Sequence, residues 1–258
     1  MDTNGVTPNP HPSPEVLAAN RHEEMSHTLS RHIEEGKKKV PGEPEPLVCK
    51  PKQLESWRIF KIMSEFVEGF ELLQKYSLAA TFFGTTRQTF EQHFYDEASE
   101  LAGRLAKRGF AVVTGGAGGI MEAANKGAYE AGGASIGLNI RLPEEQNVNS
   151  YLTDFATFDH FFVRKTMLAF ASEVYIYFPG GFGTLDEFFE IITLDQTKKI
   201  KRVPIVLFGK EYWDPLVAFM KQKLYEEHKA IDTTDLDLFF VANTVDEAFD
   251  YIIKNVKC

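Results

Sequence analysis

From Leu78 onward the sequence alternates short apolar runs with longer stretches of helical periodicity, and no other feature narrows the fold as much. The runs 78–83, 111–114, 135–140, 154–158, 174–178, 203–208 and 239–241 have the length of strands, and most are apolar on successive residues. Strands of that kind are covered on both faces, as in a parallel sheet between two helix layers. Helical patterns at 91–108, 120–131, 161–172, 185–197, 211–228 and 245–255 lie between or after the strands. The expected fold is α/β: a single doubly wound, Rossmann-like, mainly parallel sheet with helices on both faces.

Residues 1–50 read differently. Pro8, Pro10, Pro12, Pro14, Pro41, Pro44 and Pro46 stand among few large apolar side chains. Such a composition buries too little surface to offset the entropy of ordering, so a disordered arm is expected. Over 51–76 the residues Trp57, Phe60, Met63, Phe66, Val67, Phe70 and Leu73 recur at three- and four-residue steps. They predict an amphipathic helix packing on the core, ahead of a Rossmann-like domain at 77–258. The formal charge of −9 argues against nucleic acid or an anionic membrane as partner. Cys49 and Cys258 make neither a metal spacing nor a disulfide framework, which fits a reducing compartment. No apolar stretch nears the roughly 20 residues that span a bilayer. The N-terminus also lacks the apolar region of a secretory signal, so a cytoplasmic address is expected.

Four segments fall at the sheet edge where the strands end, and ligands of doubly wound folds bind there. "FFGTTR" closes a strand with Gly84 and then offers Thr85, Thr86 and Arg87. "TGGAGGIMEAANKGA" places Gly115, Gly116, Gly118 and Gly119 ahead of the helix expected at 120–131, with Glu122 in its first turn, more glycine than a tight turn requires. "PGGFGTLDE" repeats the pattern with Gly180, Gly181, Gly183, Thr184 and Glu187. Glycine admits a ligand close to the backbone, and a helix start aims N–H groups at an anion. In "HFFVRKTML" the flanks of Arg164 are apolar, which favours a partly buried guanidinium aimed at the crevice over one snorkelling to solvent.

Spacing removes several owners of glycine loops. A dinucleotide fingerprint needs a third glycine where Met121 and Asp186 stand, and neither loop carries the Lys-Ser/Thr pair of a P-loop. No His/Cys cluster points to a catalytic metal, and Lys126 and Lys165 lack the context of a pyridoxal phosphate lysine. What remains is a site for a mononucleotide or sugar phosphate. A carboxylate beside it suits glycosidic chemistry by stabilising an oxocarbenium-like transition state, orienting a sugar hydroxyl or activating water. Thr184-Leu185-Asp186-Glu187 equally fits a capping box, in which the glutamate ties off the helix end. Spacing leaves cap and catalyst level.

The two glycine segments, with "RK" upstream of the second, resemble the Lonely Guy (LOG) family of nucleoside 5′-monophosphate phosphoribohydrolases. Pro179, Gly180, Gly181, Gly183, Thr184 and Glu187 match every fixed position of the family pattern PGGxGTxxE. The resemblance runs from about residue 78 to residue 253 and includes "IGLNIRLPEEQNVNSY" and "LDQTKKI", which are similar to its longer-chain branch. It implies hydrolysis of a nucleotide N-glycosidic bond to free base and ribose 5-phosphate, with no metal and no organic cofactor. By the same resemblance Arg164 and Glu187 are the catalytic pair. Gly84, Thr85, Arg87, Gly116, Gly118, Gly119, Glu122, Gly180, Gly181, Gly183 and Thr184 are then the candidates for phosphate and ribose contacts. The family's first loop more often reads Gly-Ser and a small residue where this chain has Thr85 and Thr86. The implied partners are a small-molecule nucleotide monophosphate and a second copy of the chain, in a homodimer or higher homo-oligomer. Relatives were long labelled lysine decarboxylases, an activity that the site chemistry gives no reason to expect. A non-catalytic nucleotide sensor would use the same pocket and is the rival reading.

Overall fold

The computed structural model describes residues 56–87, 91–142 and 148–257. The expected arm at 1–50, Cys49 and Cys258 lie outside them. The elements are α1 (Trp57–Leu73), β1 (Ala79–Phe83), α2 (Gln92–Lys107), β2 (Ala111–Thr114), α3 (Ile120–Glu130), β3 (Ser135–Ile140) and β4 (Asp154–Phe158). There follow α4 (Phe161–Phe170), β5 (Val174–Tyr177), α5 (Phe182–Gln196), β6 (Ile205–Phe208), α6 (Lys210–Phe219), β7 (Phe240–Ala242) and α7 (Val245–Asn255). A π-helical stretch, Met220–Glu227, prolongs α6 within the helical pattern expected at 211–228, and a 3-10 turn at Thr233–Asp237, which the periodicity does not show, precedes β7.

The seven strands form one sheet in the order β4-β3-β2-β1-β5-β6-β7, and every neighbouring pair is parallel. All five residues of β1, the central strand, are buried, Thr81 among them with its hydroxyl 2.6 Å from that of Ser172. Two apolar clusters cover the sheet. One joins it to α1, α4, α5 and α6 through residues such as Met167, Phe188 and Trp213. The other joins it to α2, α3 and α7 through Phe94, Leu101 and Ile252. Aromatic pairs brace the ligand edge, with ring centroids 4.7 Å apart for Phe83–Tyr177 and 4.5 Å for Phe178–Phe208. Such pairs add about 0.5–1.5 kcal/mol beyond burial, which stiffens the strand ends that carry the loops.

Helix α1 forms where expected but presents a different face. Trp57, Phe60, Met63, Val67 and Phe70 are exposed, while Glu65, Gly69, Leu72 and Leu73 are buried. Only Phe66 and Leu73 of the apolar stripe turn towards the core. Gly69 lets α1 approach α4 closely: a Cβ there would lie 2.4 Å from Met167 Sδ, so a larger residue would require the Met167 side chain to shift. Periodicity reports that a helix has two faces. It does not report which surface each will meet.

Candidate active site

The chain winds outward from β1 through β2, β3 and β4, then returns to β5 on the other side of β1. The carboxyl ends of β1 and β5 therefore flank the switch point, where open parallel sheets hold ligands. The loops following these strands are tied together, with Thr85 N donating to Pro179 O at 3.1 Å.

A cleft of about 320 Å³ opens here, lined among others by Gly84, Thr85, Arg87, Arg164, Gly181, Gly183, Thr184 and Glu187. Gly119 and Glu122 line a neighbouring cavity of about 210 Å³ that shares Thr85 and Arg87. Gly116, Gly118 and Gly180 line neither. Gly115 and Ala117 represent the second glycine segment in the main cleft.

Local bonding explains the division. The Gly116 amide donates to Thr114 Oγ1 at 2.9 Å, and its φ of +72° turns the loop. The first amide of α3, Ile120 N, donates to Thr85 O at 3.0 Å. That amide of the helix start therefore joins two loops. Gly180 is packed tightly, since a Cβ there would stand 2.1 Å from Thr184 Oγ1, and its carbonyl accepts from the Tyr212 hydroxyl at 2.6 Å. The Thr85 hydroxyl accepts from Arg87 N at 3.2 Å.

Gly181 and Gly183 differ from these, because a Cβ on either would meet nothing within 4 Å. The helix there starts earlier than its pattern predicts. Its N-cap is Gly181, Phe182 is its first residue, and no side chain caps it. Thr184 is consequently the third helical residue, not the cap, and the capping-box reading of Glu187 fails on geometry. A box glutamate occupies the third position, whereas Glu187 is one turn beyond it. The first amides of the helix, through Thr184, have no acceptor within it and lie along the cleft wall.

Glu187 turns inward instead. Its side chain is 8% exposed, and Oε1 lies 3.7 Å from Nη2 of Arg164, whose side chain is 17% exposed. This is an ion pair longer than a hydrogen bond. Burial pushes the Glu187 carboxyl up to about 7, against the attraction of Arg164 and Lys165 and with the repulsion of Glu190 and Asp186. Burial likewise lowers Arg164, opposed by Glu187 and Asp186. Arg164 Nε is buried without a partner among the described residues. The ring of Phe161 lies under the guanidinium at 5.5 Å. Lys165 points away from the pair, to Asp186 at 2.8 Å and Glu190 at 3.3 Å, and so links α4 to α5. Burial acts to lower the Lys165 ammonium, but these bonds outweigh it and hold it above the usual lysine value.

Sequence reasoning missed Glu65 and His160. The buried carboxylate on α1 contacts the residue that opens α4, with Glu65 Oε1 2.9 Å from His160 Nδ1. Nothing in the spacing of a lone glutamate on an amphipathic helix marks it.

Comparison with known proteins agrees with this architecture. A family model described as "Possible lysine decarboxylase" matches residues 121–252. A probable cytokinin riboside 5′-monophosphate phosphoribohydrolase of Oryza sativa subsp. japonica is 32% identical over 133 residues, covering 50% of this chain and 53% of its own. A second rice protein with that description is 30% identical over 173 residues, covering 66% and 68%. The cytokinin riboside 5′-monophosphate phosphoribohydrolase of Rhodococcoides fascians is 28% identical over 145 residues, covering 54% and 69%. The chain thus spans about half the length of the first of these relatives. Among solved structures, the molybdenum cofactor carrier protein of Chlamydomonas reinhardtii superposes with a TM-score of 0.55 at 24% identity, over 69% of this chain and 96% of its own. That likeness concerns the fold.

Proposed function

This chain belongs to the Lonely Guy (LOG) family, and from that premise we propose that it hydrolyses the N-glycosidic bond of a nucleoside 5′-monophosphate. The substrate is a purine or cytokinin-type ribotide, and the products are free base and ribose 5-phosphate. One observation carries the reading. A buried carboxylate and guanidinium 3.7 Å apart line a cleft whose glycines Gly181 and Gly183 have no packing reason to be glycine. Gly183 is the second residue of α5, a position whose surroundings leave room for a larger side chain. Room for an anion against the helix amides accounts for both positions.

In the proposed mechanism the 5′-phosphate rests on the first amides of α5 and the Thr184 hydroxyl, with the ribose beside Glu187. As the C1′–N bond lengthens, positive charge builds on the ribose ring and the ionised Glu187 stabilises it. Water, directed by the same carboxylate, adds to C1′ and loses a proton. The electron pair of the broken bond leaves with the base, which is protonated. Arg164 favours the ionised form of Glu187 against its burial. Lys165 supplies no Schiff base in this scheme, since its two ion pairs hold it protonated.

A requirement for the 5′-phosphate tests the assignment. Charge-assisted hydrogen bonds contribute about 1.5–3 kcal/mol each. Loss of two should lower kcat/KM for adenosine or adenosine 3′-monophosphate by roughly 10²–10⁴-fold against the 5′-monophosphate. Equal cleavage of adenosine would refute the phosphate site. Alanine at Gly181 and Gly183 separates ligand contact from folding. Gly183→Ala is expected to keep or raise the melting temperature, because a Cβ there meets nothing and alanine narrows the unfolded ensemble. Both variants should nevertheless raise KM for the nucleotide by about tenfold through the Cβ that enters the cleft. An unchanged KM would remove these glycines from the site.

The active unit of this proposal is a homodimer. The outer face of α1 exposes Trp57, Phe60, Met63, Val67 and Phe70, and the Phe70 ring lies 6.3 Å from that of Phe170, itself 59% exposed. A continuous apolar surface of this kind marks an interaction site. Sedimentation should show a dimer for the parent chain and a monomer for Phe60→Asp/Phe70→Asp. A monomeric parent would contradict the assignment.

A further inference from the structure

We infer that Glu65, on α1 and outside the cleft, is a positioning residue for Arg164, acting by clamping the residue that opens α4. The inference rests on the reading of Arg164 and Glu187 as the reacting site. Both carboxylate oxygens of Glu65 end on His160: Oε1 lies 2.9 Å from Nδ1, and Oε2 accepts from the backbone N at 3.2 Å. His160 is the N-cap of α4 and has no side-chain cap bond of its own. Its carbonyl accepts from Val163 N at 3.1 Å and Arg164 N at 3.2 Å. One residue is therefore gripped by α1 on one side and carries the amide of Arg164 on the other. Arg58 Nε approaches His160 Nε2 at 3.5 Å, so a proton on Nδ1 satisfies both ring contacts.

The chemistry of the contact sets it apart from ordinary helix packing. Glu65 is 5% exposed, and a buried carboxylate is costly unless its partners are fixed. The same helix carries an apolar stripe suited to packing and turns most of it outward. What Glu65 supplies that an apolar side chain would not is direction. It fixes the register of the first turn of α4, and with it the separation of Arg164 from Glu187. Misplacement of a reacting group by about 1 Å can cost on the order of a hundredfold in rate.

The groups facing Glu187 are Arg164 and Lys165 from α4, Asp186 and Glu190 on its own helix, and Tyr177 from β5. Only the two cations depend on α4, so release of its first turn should weaken their hold on the carboxylate alone. The test uses the full chain with Glu65→Ala, His160→Ala and His160→Asn. It measures kcat, KM, the pH–rate profile and the Glu187 carboxyl midpoint by 13C NMR.

Both alanine variants are expected to lose about ten- to a hundredfold in kcat. KM should change little, because the α5 amides are not attached to residue 160. The acid limb and the NMR midpoint should both move to higher pH. His160→Asn, whose amide restores a donor near the Nδ1 position, should recover most of the loss. In an Arg164→Ala background, Glu65→Ala should add nothing further. A parental kcat and midpoint in Glu65→Ala, or losses fully additive with Arg164→Ala, would overturn the inference. If Glu65→Ala fails to fold, the two His160 variants decide it by the same readouts. If the parent releases no base from any nucleotide, the reading of the site has failed, and the midpoint still reports on the clamp.

Discussion

Glu187→Gln is expected to lower kcat for release of base by roughly 10²–10⁴-fold, the range over which a positioned carboxylate acts on developing charge or on water. The fold should survive, because glutamine keeps the shape and the backbone contacts, including the Tyr177 hydroxyl that donates to Glu187 O at 3.2 Å. The pH dependence of stability provides a second check. The carboxyl titrates at about 7 in the folded chain, against an ordinary 4.5. Between those values the folded form keeps a proton that the unfolded chain has lost. Stability from this group is therefore present at low pH and falls as pH rises through the window to about 7. Glutamine has no such dependence. Thermal melts at pH 5 and pH 8 should show a drop in the parent that shrinks in the variant, while base release is lost at both. A variant as active as the parent would show that Glu187 does no chemistry.

Arg164→Ala carries the second large effect. Removing one member of a buried ion pair typically costs about 3–5 kcal/mol, much of it from the charge left unpaired. Expressed in the transition state, that corresponds to a loss of roughly 10²–10⁴-fold in kcat. The sign of the pH shift follows from geometry. Arg164 is the largest influence holding the Glu187 carboxyl down against burial, so its removal moves the acid limb of the pH–rate profile above about 7. Arg164→Lys keeps a charge without the planar fork and should fall between alanine and the parent. A profile unmoved in Arg164→Ala would separate the guanidinium from the carboxylate's titration.

The contrast between what was legible and what was not is physical. Strands β2, β3 and β4 and helix α7 lie where their patterns end, because doubly buried runs and sharp helix stops leave little choice. Helix α5 starts three residues before its pattern predicts. Gly181 is the extended N-cap, but from Phe182 onward the backbone is helical and includes Gly183, so the capping box dissolves with that boundary. Glycine signals freedom from side-chain contact and does not by itself distinguish a turn from a helix start laid open to a ligand. The same ambiguity divides the candidate residues. Gly116 and Gly180 serve the loops, Gly181 and Gly183 the cleft, and only the space around each backbone tells them apart. Glu65 shows the other limit, since the importance of a buried carboxylate lies in a partner 95 residues away.

The most direct measurement is product analysis of the purified parent chain on a panel of nucleoside 5′-monophosphates, adenine and N6-substituted adenine ribotides included. Free base and ribose 5-phosphate should appear in equal amounts from at least one purine-type monophosphate, and neither should form with Glu187→Gln. Saturable binding without release of base from any member of the panel would contradict the account and leave a nucleotide sensor in its place.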